Sequence, residues 1–518
     1  MSKFIQELSE YANLVKDFGK ANISRNQNLV DKLTFHEVSY WDVFSAEMCW
    51  RHLTSASSAR STYSFIKLLI KPNFIRLREW LKRKKIKNLF KNNNHETRFP
   101  RDAIIFLAFM PRMYLDVLHP VILNLKKNKK NKIVVLTDQT GSFAQFPIIP
   151  GVVYRDIWSF WNENLDNKSK YFKKIVSKKL DNIYFEIQNG SSRRFLFGKH
   201  GKALRLSLKL LFRGYIPVVL EQAIISEHIL SKYRPKKIIS PDTSDARARL
   251  YKLIGKNLNI PSLDIQFGLT GPEGVEWKFF SADKVAVWGK SAKDDLIKHG
   301  IKKEKIFITG SPRHDLLKFP NKKILINLRE KYNLKNNRKI VLFASTYTDK
   351  SHYIFSNSNV LNDMKKAIFE TAKTYPNLTF LVKPHPVEDV RESFILGKDC
   401  NNLIFVDKEE DISLLVHLSD YFISFGSTAT IDALIANKLS ICPIFPGWPF
   451  SKFFEKSKAV LIPKSKEELL NIFYKISKGI SNTQEKNIKT NSKDFIKDLV
   501  YKNDGMSSLR VKNLILKL

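Results

Sequence analysis

Between Asp283 and Ile462 the chain alternates short apolar runs with polar loops and amphipathic segments, and this rhythm limits the fold more than any other feature. The runs Lys284–Trp288 (KVAVW), Lys305–Thr309 (KIFIT), Lys339–Ala344 (KIVLFA), Leu378–Val382, Leu403–Val406, Tyr421–Phe425, Ser440–Ile444 and Ala459–Ile462 have the length of buried strands. Segments of helical spacing lie between several of them. Apolar strands separated by helices predict a parallel sheet covered on both faces. The spacing therefore assigns a doubly wound α/β domain to residues 281–480.

The first half repeats the rhythm less regularly. Asp102–Phe109 (DAIIFLAF), a helix over Tyr114–Leu125 and Lys132–Thr137 (KIVVLT) form a βαβ unit. Further on come the helix Ile216–Tyr233, the strand Lys237–Ser240 (KIIS), the helix Ala246–Asn257 and the strand Ser262–Gln266 (SLDIQ). Residues 99–280 thus predict a first Rossmann-like domain, with a basic helical insertion at about 158–209. Residues 1–98 read as a helical basic extension and 481–518 as a helical tail.

The formal net charge of +38 fits either a Lys-rich composition throughout or attraction to anionic surfaces. No nucleic-acid-binding motif accompanies it, so nucleic acid is not an expected partner. Within the extension, Ser64–Lys91 interleaves Phe, Leu, Ile and Trp80 with Lys and Arg. That pattern suits a helix lying on an anionic membrane surface as well as one packed on the next domain. Three widely spaced cysteines, Cys49, Cys400 and Cys442, offer neither a disulfide framework nor a zinc site. The first residues do not read as a signal peptide, and no apolar run reaches membrane-spanning length. The expectation is a cytoplasmic protein, peripheral on the inner face of the cytoplasmic membrane.

Parallel sheets place ligands at the loops beyond the carboxyl ends of their strands. Lys383-Pro384-His385-Pro386 is the sharpest such loop, because each proline holds the preceding residue out of the helical region. A histidine held there can give a hydrogen bond or a proton to a phosphate oxygen, with Lys383 adding charge; it can equally cap a turn. Gly426-Ser427-Thr428 runs into a segment of helical spacing, where free N–H groups and hydroxyls favour an anion. Simple N-capping by Ser427 or Thr428 is the alternative, and Asp432 is explained by a helix's first turn alone. The loops Gly310–Asp315, with Ser311, Arg313 and His314, and Ser345-Thr346-Tyr347 are further candidates for the same pocket. GxxxxGK[ST] and GxSxG are absent, which argues against a P-loop nucleotidase and a serine hydrolase.

The blocks TGSPRHD, KPHPVE and DYFISFGSTATIDALIANK resemble those of GT-B glycosyltransferases that build surface and capsular polysaccharides. They are similar to capsule transferases, bacterial sialyltransferases and the CDP-glycerol glycerophosphotransferases of teichoic-acid synthesis. UDP-sugar 2-epimerases also resemble the second domain, but their DSGG-type loop is absent where GSTAT stands. The resemblance implies two Rossmann-like domains facing a cleft, with the second binding a CMP- or other nucleotide-linked donor. It implies donor-phosphate roles for His385, Pro386, Ser427 and Thr428, and places Glu388 near the ribose. Lys383, Gly426, Gly310, Ser311, Arg313, Ser345 and Thr346 complete the donor-side candidates. On the acceptor side stand Gln266 and Gly268. Asp242 and Asp245 are candidates for the base that an inverting transfer requires, although Asp242 also suits a cap for the helix beginning near Ala246.

The expected activity is metal-independent sugar transfer to a glycan or lipid-linked acceptor, with the activated donor as substrate and no cofactor. A UDP-N-acetylglucosamine 2-epimerase, a CDP-glycerol-type polyol-phosphate transferase and a non-catalytic scaffold of polysaccharide assembly remain as alternatives.

Overall fold

The computed structural model describes residues 3–24, 27–35, 37–58, 77, 81, 84, 99–138, 146–270, 274–318, 320–347, 358–386, 388–448, 452–455, 457–479 and 482–518. The chain divides into two units. The first comprises Met1–Trp288, Ala292–Thr309 and Ser508–Leu518; the second comprises Gly289–Ser291 and Gly310–Ser507.

Seven strands form the sheet of the first unit: β1 (Ile104–Leu107), β2 (Ile133–Thr137), β3 (Val153–Asp156), β4 (Lys237–Ser240), β5 (Ser262–Ile265), β6 (Lys284–Val287) and β7 (Ile306–Ile308). Their order is β7-β6-β5-β4-β1-β2-β3, and every pairing is parallel. Each residue of β1, β2 and β5 is buried, as a sheet with both faces covered demands. The order reverses between β1 and β4, which makes their carboxyl ends the switch point of this sheet.

Sheet membership departs from the sequence rhythm in one respect. Lys284–Val287 and Ile306–Ile308, expected to open the second domain, pair instead beside β5 in the first sheet. Apolar periodicity identifies a strand but not its neighbour. The side chain of Gln266 supplies part of the reason. Its Oε1 accepts the Trp288 N–H at 2.8 Å, while its carbonyl accepts the Trp288 indole N–H at 2.9 Å. The ends of β5 and β6 are tied together by that one residue.

The N-terminal segment belongs to this unit. Helix Lys3–Lys20 lies against helix Tyr40–Ser58, with the Phe18 ring 5.6 Å from Trp41 and 5.5 Å from Phe195. The buried Tyr11 hydroxyl donates to Ser207 at 3.0 Å, joining the segment to helix Gly201–Leu210 of the basic helical region. The amphipathic stretch Ser64–Lys91 lies outside the described residues save for isolated positions. At the other terminus, Val511, Leu514 and Ile515 of helix Ser507–Leu516 pack into the core over β1 and β2. No helix among the described residues is long and apolar enough to cross a membrane.

Five parallel strands build the second unit: β8 (Ile340–Ala344), β9 (Thr379–Lys383), β10 (Leu403–Phe405), β11 (Tyr421–Ser424) and β12 (Leu439–Ile441), in the order β10-β9-β8-β11-β12. The expected strand at Ala459–Ile462 is reduced to one bridge, between Ile441 and Leu461. Here the order reverses between β8 and β11. Ala344 is level with Lys383 on one side and with Ser424 on the other. The register therefore gathers the loops after β8, β9 and β11 at one edge, around the second switch point.

Candidate functional site

Three loops meet at that edge: Ser345–Tyr347 after β8, Pro384–Glu388 after β9 and Phe425–Thr428 after β11. Their geometry follows from what each buries beneath it.

The β9 loop is built on Glu388, a buried carboxylate. Its Oε1 accepts from Ser345 Oγ at 2.8 Å, Lys365 Nζ at 2.6 Å and Ser393 Oγ at 3.2 Å; its Oε2 accepts the His385 N–H at 2.9 Å. The Glu388 N–H in turn donates to the His385 carbonyl. Buried charge is tolerated only when paired and hydrogen-bonded, and here every bond also fixes the loop. Glu388 is therefore turned inward as the loop's anchor, away from the ribose contact that the resemblance implies. Lys383 is similarly turned under the loop, its ammonium on the carbonyls of Pro384 (3.1 Å) and Lys408 (2.6 Å). Lys365 and Lys408 carry no motif signal; only their bonds to Glu388 and Lys383 reveal them.

What this scaffold presents is His385. Its half-buried ring lies 4.7 Å from the Tyr347 ring, inclined by 36°. Burial holds the imidazole below its ordinary pKa; the Glu388 carboxylate pulls the other way, while Lys383 and Lys408 add to the lowering. The ring is accordingly neutral at pH 7, able to accept a proton or to donate one hydrogen bond. Pro386 is exposed beside it, and Thr346 is partly exposed at the end of β8.

The β11 loop turns at Gly426, whose φ of +82° is one that glycine adopts at little cost. Ser424 and Thr430 share a buried hydrogen bond of 2.6 Å beneath it, and the Trp448 indole N–H donates to the Phe425 carbonyl at 3.1 Å. Helix Ala429–Ile435 follows, with Thr428 as its first cap residue and no side-chain capping bond. Ser427 is exposed. The Thr428 hydroxyl thus does not cap the helix.

Gly310–Asp315, expected as a loop, runs into helix Pro312–Lys318 and is a buttress rather than a lining. Buried Arg313 pairs with the buried carboxylate of Asp432, and His314 Nε2 lies 3.5 Å from the same carboxylate. Burial, reinforced by Arg313, pushes His314 down to about 3. Asp315 accepts the Ser507 N–H at 2.8 Å. Gly310 has φ +80°, and a Cβ there would approach the Tyr501 carbonyl to 2.9 Å. Ser311 is buried. Asp432, explicable from sequence by the helix dipole alone, is the ion-pair partner of this loop.

The first unit's switch point is arranged differently. Asp242 Oδ1 accepts from the Ser244 N–H (2.7 Å), the Ser244 hydroxyl (2.8 Å) and the Asp245 N–H (3.1 Å), closing a local turn. Asp245, not Asp242, is the N-cap of helix Ala246–Asn257, accepting from the Arg247 N–H at 2.8 Å, and it is also bound by the Arg247 guanidinium. The acids proposed as bases are thus largely consumed by local structure. Gln266 is buried in its bonds to Trp288, with its Nε2 on the Gly268 carbonyl at 2.8 Å. Two residues without a motif stand at this edge: Asp138, after β2, pairs with Arg247, whose guanidinium lies 4.9 Å from the centroid of the Phe109 ring. Among the described residues no cluster has a metal-ligating arrangement.

Residues 297–445 match the family model of CDP-glycerol:poly(glycerophosphate) glycerophosphotransferases. That span contains all five strands of the second sheet and the three loops at its switch point. No curated protein is similar to the chain at a comparable level. Among solved structures, UDP-GlcNAc 2-epimerase from Neisseria meningitidis bound to UDP-GlcNAc is similar over 80% of this chain and 100% of its own, at 14% identity and a TM-score of 0.53. The S. aureus MnaA–UDP structure matches over 80% and 96%, at 14% identity and 0.51. The wall teichoic acid polymerase TagF matches over 86% and 97%, at 13% identity and 0.50. At these identities the likeness is one of fold: two α/β domains with parallel sheets, of the GT-B type.

Proposed function

We propose that the chain is a transferase acting on a nucleotide-activated donor, and that the donor is a CDP-linked polyol phosphate rather than a sugar nucleotide. One observation carries this reading. The switch point that presents His385, Thr346, Ser427 and Thr428 lies within the stretch similar to glycerophosphotransferases. In such a transfer an acceptor hydroxyl attacks the β-phosphorus. The bond from that phosphorus to the bridging oxygen breaks, and CMP leaves with the electron pair.

The hydroxyls of the β11 and β8 loops hold the phosphates. His385 receives the acceptor's proton, a role suited to an imidazole kept neutral by burial. Its proximity to Tyr347 restricts the ring's orientation. Asp245 is committed to its cap and one oxygen of Asp242 to its turn, so neither is assigned the proton. The acceptor is a glycan or lipid-linked chain ending in a hydroxyl, and the basic surface of the protein suits an anionic one or the membrane that carries it.

The test is product analysis with CDP-glycerol, a CMP-linked sugar and UDP-GlcNAc, each with and without a polyglycerol-phosphate acceptor. Acceptor-dependent release of CMP from CDP-glycerol is the expected result. Transfer from the sugar nucleotides alone would replace the polyol by a sugar. Conversion of UDP-GlcNAc without acceptor would replace the transferase by an epimerase. Turnover of none, with no nucleotide bound, would leave a scaffold.

A further inference from the structure

The second unit has a cavity at the opposite edge of its sheet, and its chemistry differs from that of the switch point. It has a volume of about 330 Å³ and is lined in part by Lys339, Asp420 and Lys438, which precede β8, β11 and β12 at their amino ends. The length of β8, five residues, separates the two edges by roughly 16 Å. Arg329 and Arg338 also line the cavity.

The cations here outnumber their partners. The one carboxylate among the lining residues is already committed, with Asp420 Oδ1 on Lys339 at 2.8 Å and Oδ2 on the Ile340 N–H at 2.9 Å. Lys438 Nζ is bonded to the carbonyls of His417 (3.3 Å) and Ser419 (2.6 Å), which do not neutralise it. Arg329 and Arg338 are both partly buried, and neither guanidinium has an acidic or hydrogen-bonding partner among the described residues. The Nε2 atom of His417 is buried without a hydrogen bond among them, while the ring itself is bonded to the Leu317 backbone. A guanidinium without a protein acceptor keeps its forked donors available for charge-assisted bonds to a ligand. Two such groups beside the Lys438 ammonium leave the cavity with more positive charge than its one carboxylate can balance.

We propose that this cavity binds a phosphate-bearing anion, with Arg329 and Arg338 as its principal ligands and Lys438 adding positive charge beside them. The fork of a guanidinium matches two phosphate oxygens at once, and the volume is within the range of small-ligand pockets. The ligand is either a free phosphate compound or the phosphodiester units of an anionic chain. The assignment does not rest on the transferase reading, since no residue of the switch point takes part.

Calorimetric titration of the full chain with inorganic pyrophosphate, and separately with a short glycerol phosphodiester oligomer, tests it. Saturable binding of at least one probe is expected, unchanged by His385→Ala and weakened about tenfold or more by Arg329→Gln combined with Arg338→Gln. The tighter probe identifies the source of the phosphate. Wild-type affinity in the double variant would overturn the proposal, as would saturation of neither probe. Should the double variant fold poorly, the His417 ring resonances of the wild-type protein decide. They move on titration if the site is occupied, and unmoved resonances refute it.

Discussion

The two sheets place their switch points on comparable scaffolds and then use their polar residues in opposite ways. After β4, Asp242 and Asp245 bend inward to close a turn and cap a helix. After β9 and β11, buried residues do that structural work: Glu388 anchors one loop, while Ser424, Thr430 and Trp448 fix the other. His385, Ser427 and Thr428 are thereby left at the edge. An acid at a strand end is thus no guide to chemistry until its hydrogen bonds are known. A loop whose own carboxylate is buried and fully paired is the better candidate, because its outward groups are held without being consumed.

His385→Ala bears most directly on this contrast. It is expected to lower turnover by about 10²- to 10⁴-fold, the usual contribution of a general acid or base, while the denaturation midpoint stays near wild type. Steady-state kinetics beside urea unfolding separates the two effects, and unchanged turnover would break the comparison.

Glu388→Gln should act on the fold as well. Removing one partner of the buried pair with Lys365 costs about 3–5 kcal/mol, read as a lower urea midpoint together with lost turnover. A variant of wild-type stability would show that the β9 loop is not built as described.

The buttress carries a pH signature. His314 is held down to about 3, against roughly 6.5 in the unfolded chain. The unfolded state therefore binds the extra proton between these values. The stability due to the neutral ring is complete above pH 6.5 and is lost as pH falls toward 3, by up to about 1.4 kcal/mol per pH unit. Urea midpoints measured from pH 7 to 4 should fall less steeply in His314→Gln than in wild type. Equal slopes would contradict the assignment.

The smallest effects belong to the first unit. Asp245→Ala should cost about 1 kcal/mol, as the loss of an N-cap does, with turnover close to wild type. Asp242→Asn keeps the accepting oxygen of the turn and removes the basic one, so it should change neither stability nor turnover. A large kinetic loss in Asp242→Asn would restore that carboxylate as the base and reverse the contrast between the units.

Much of the fold is legible in the sequence, because buried parallel strands are continuous apolar runs. KIVLFA, Leu378–Val382 and Tyr421–Phe425 all lie within a residue or so of observed strands. Sheet membership is less legible. Nothing in KVAVW or KIFIT says which sheet they join, since that depends on contacts such as Gln266 with Trp288. Val153–Asp156 lacks a uniformly apolar pattern and shows as a strand only through its pairing with β2. The return of Val511 and Ile515 to the first core is a long-range event that periodicity cannot register. In the candidate site, the prolines around His385 and the glycine before Ser427 are visible signals. The burial of Glu388 with Lys365, and of Arg313 with Asp432, is not, because a charged residue in a loop or on a helix reads as solvated until its partner is found.

The central claim is that the loops after β8, β9 and β11 grip the phosphates of a nucleotide-linked donor. Isothermal titration of CDP into the wild-type chain and into the Ser427→Ala, Thr428→Val double variant tests it most directly. The account predicts saturable binding at the switch point, weakened about tenfold or more in the double variant through two lost hydrogen bonds to charge, in the background of Arg329→Gln, Arg338→Gln. Equal affinity in both proteins, or no saturable binding of CDP to the wild type, would contradict it.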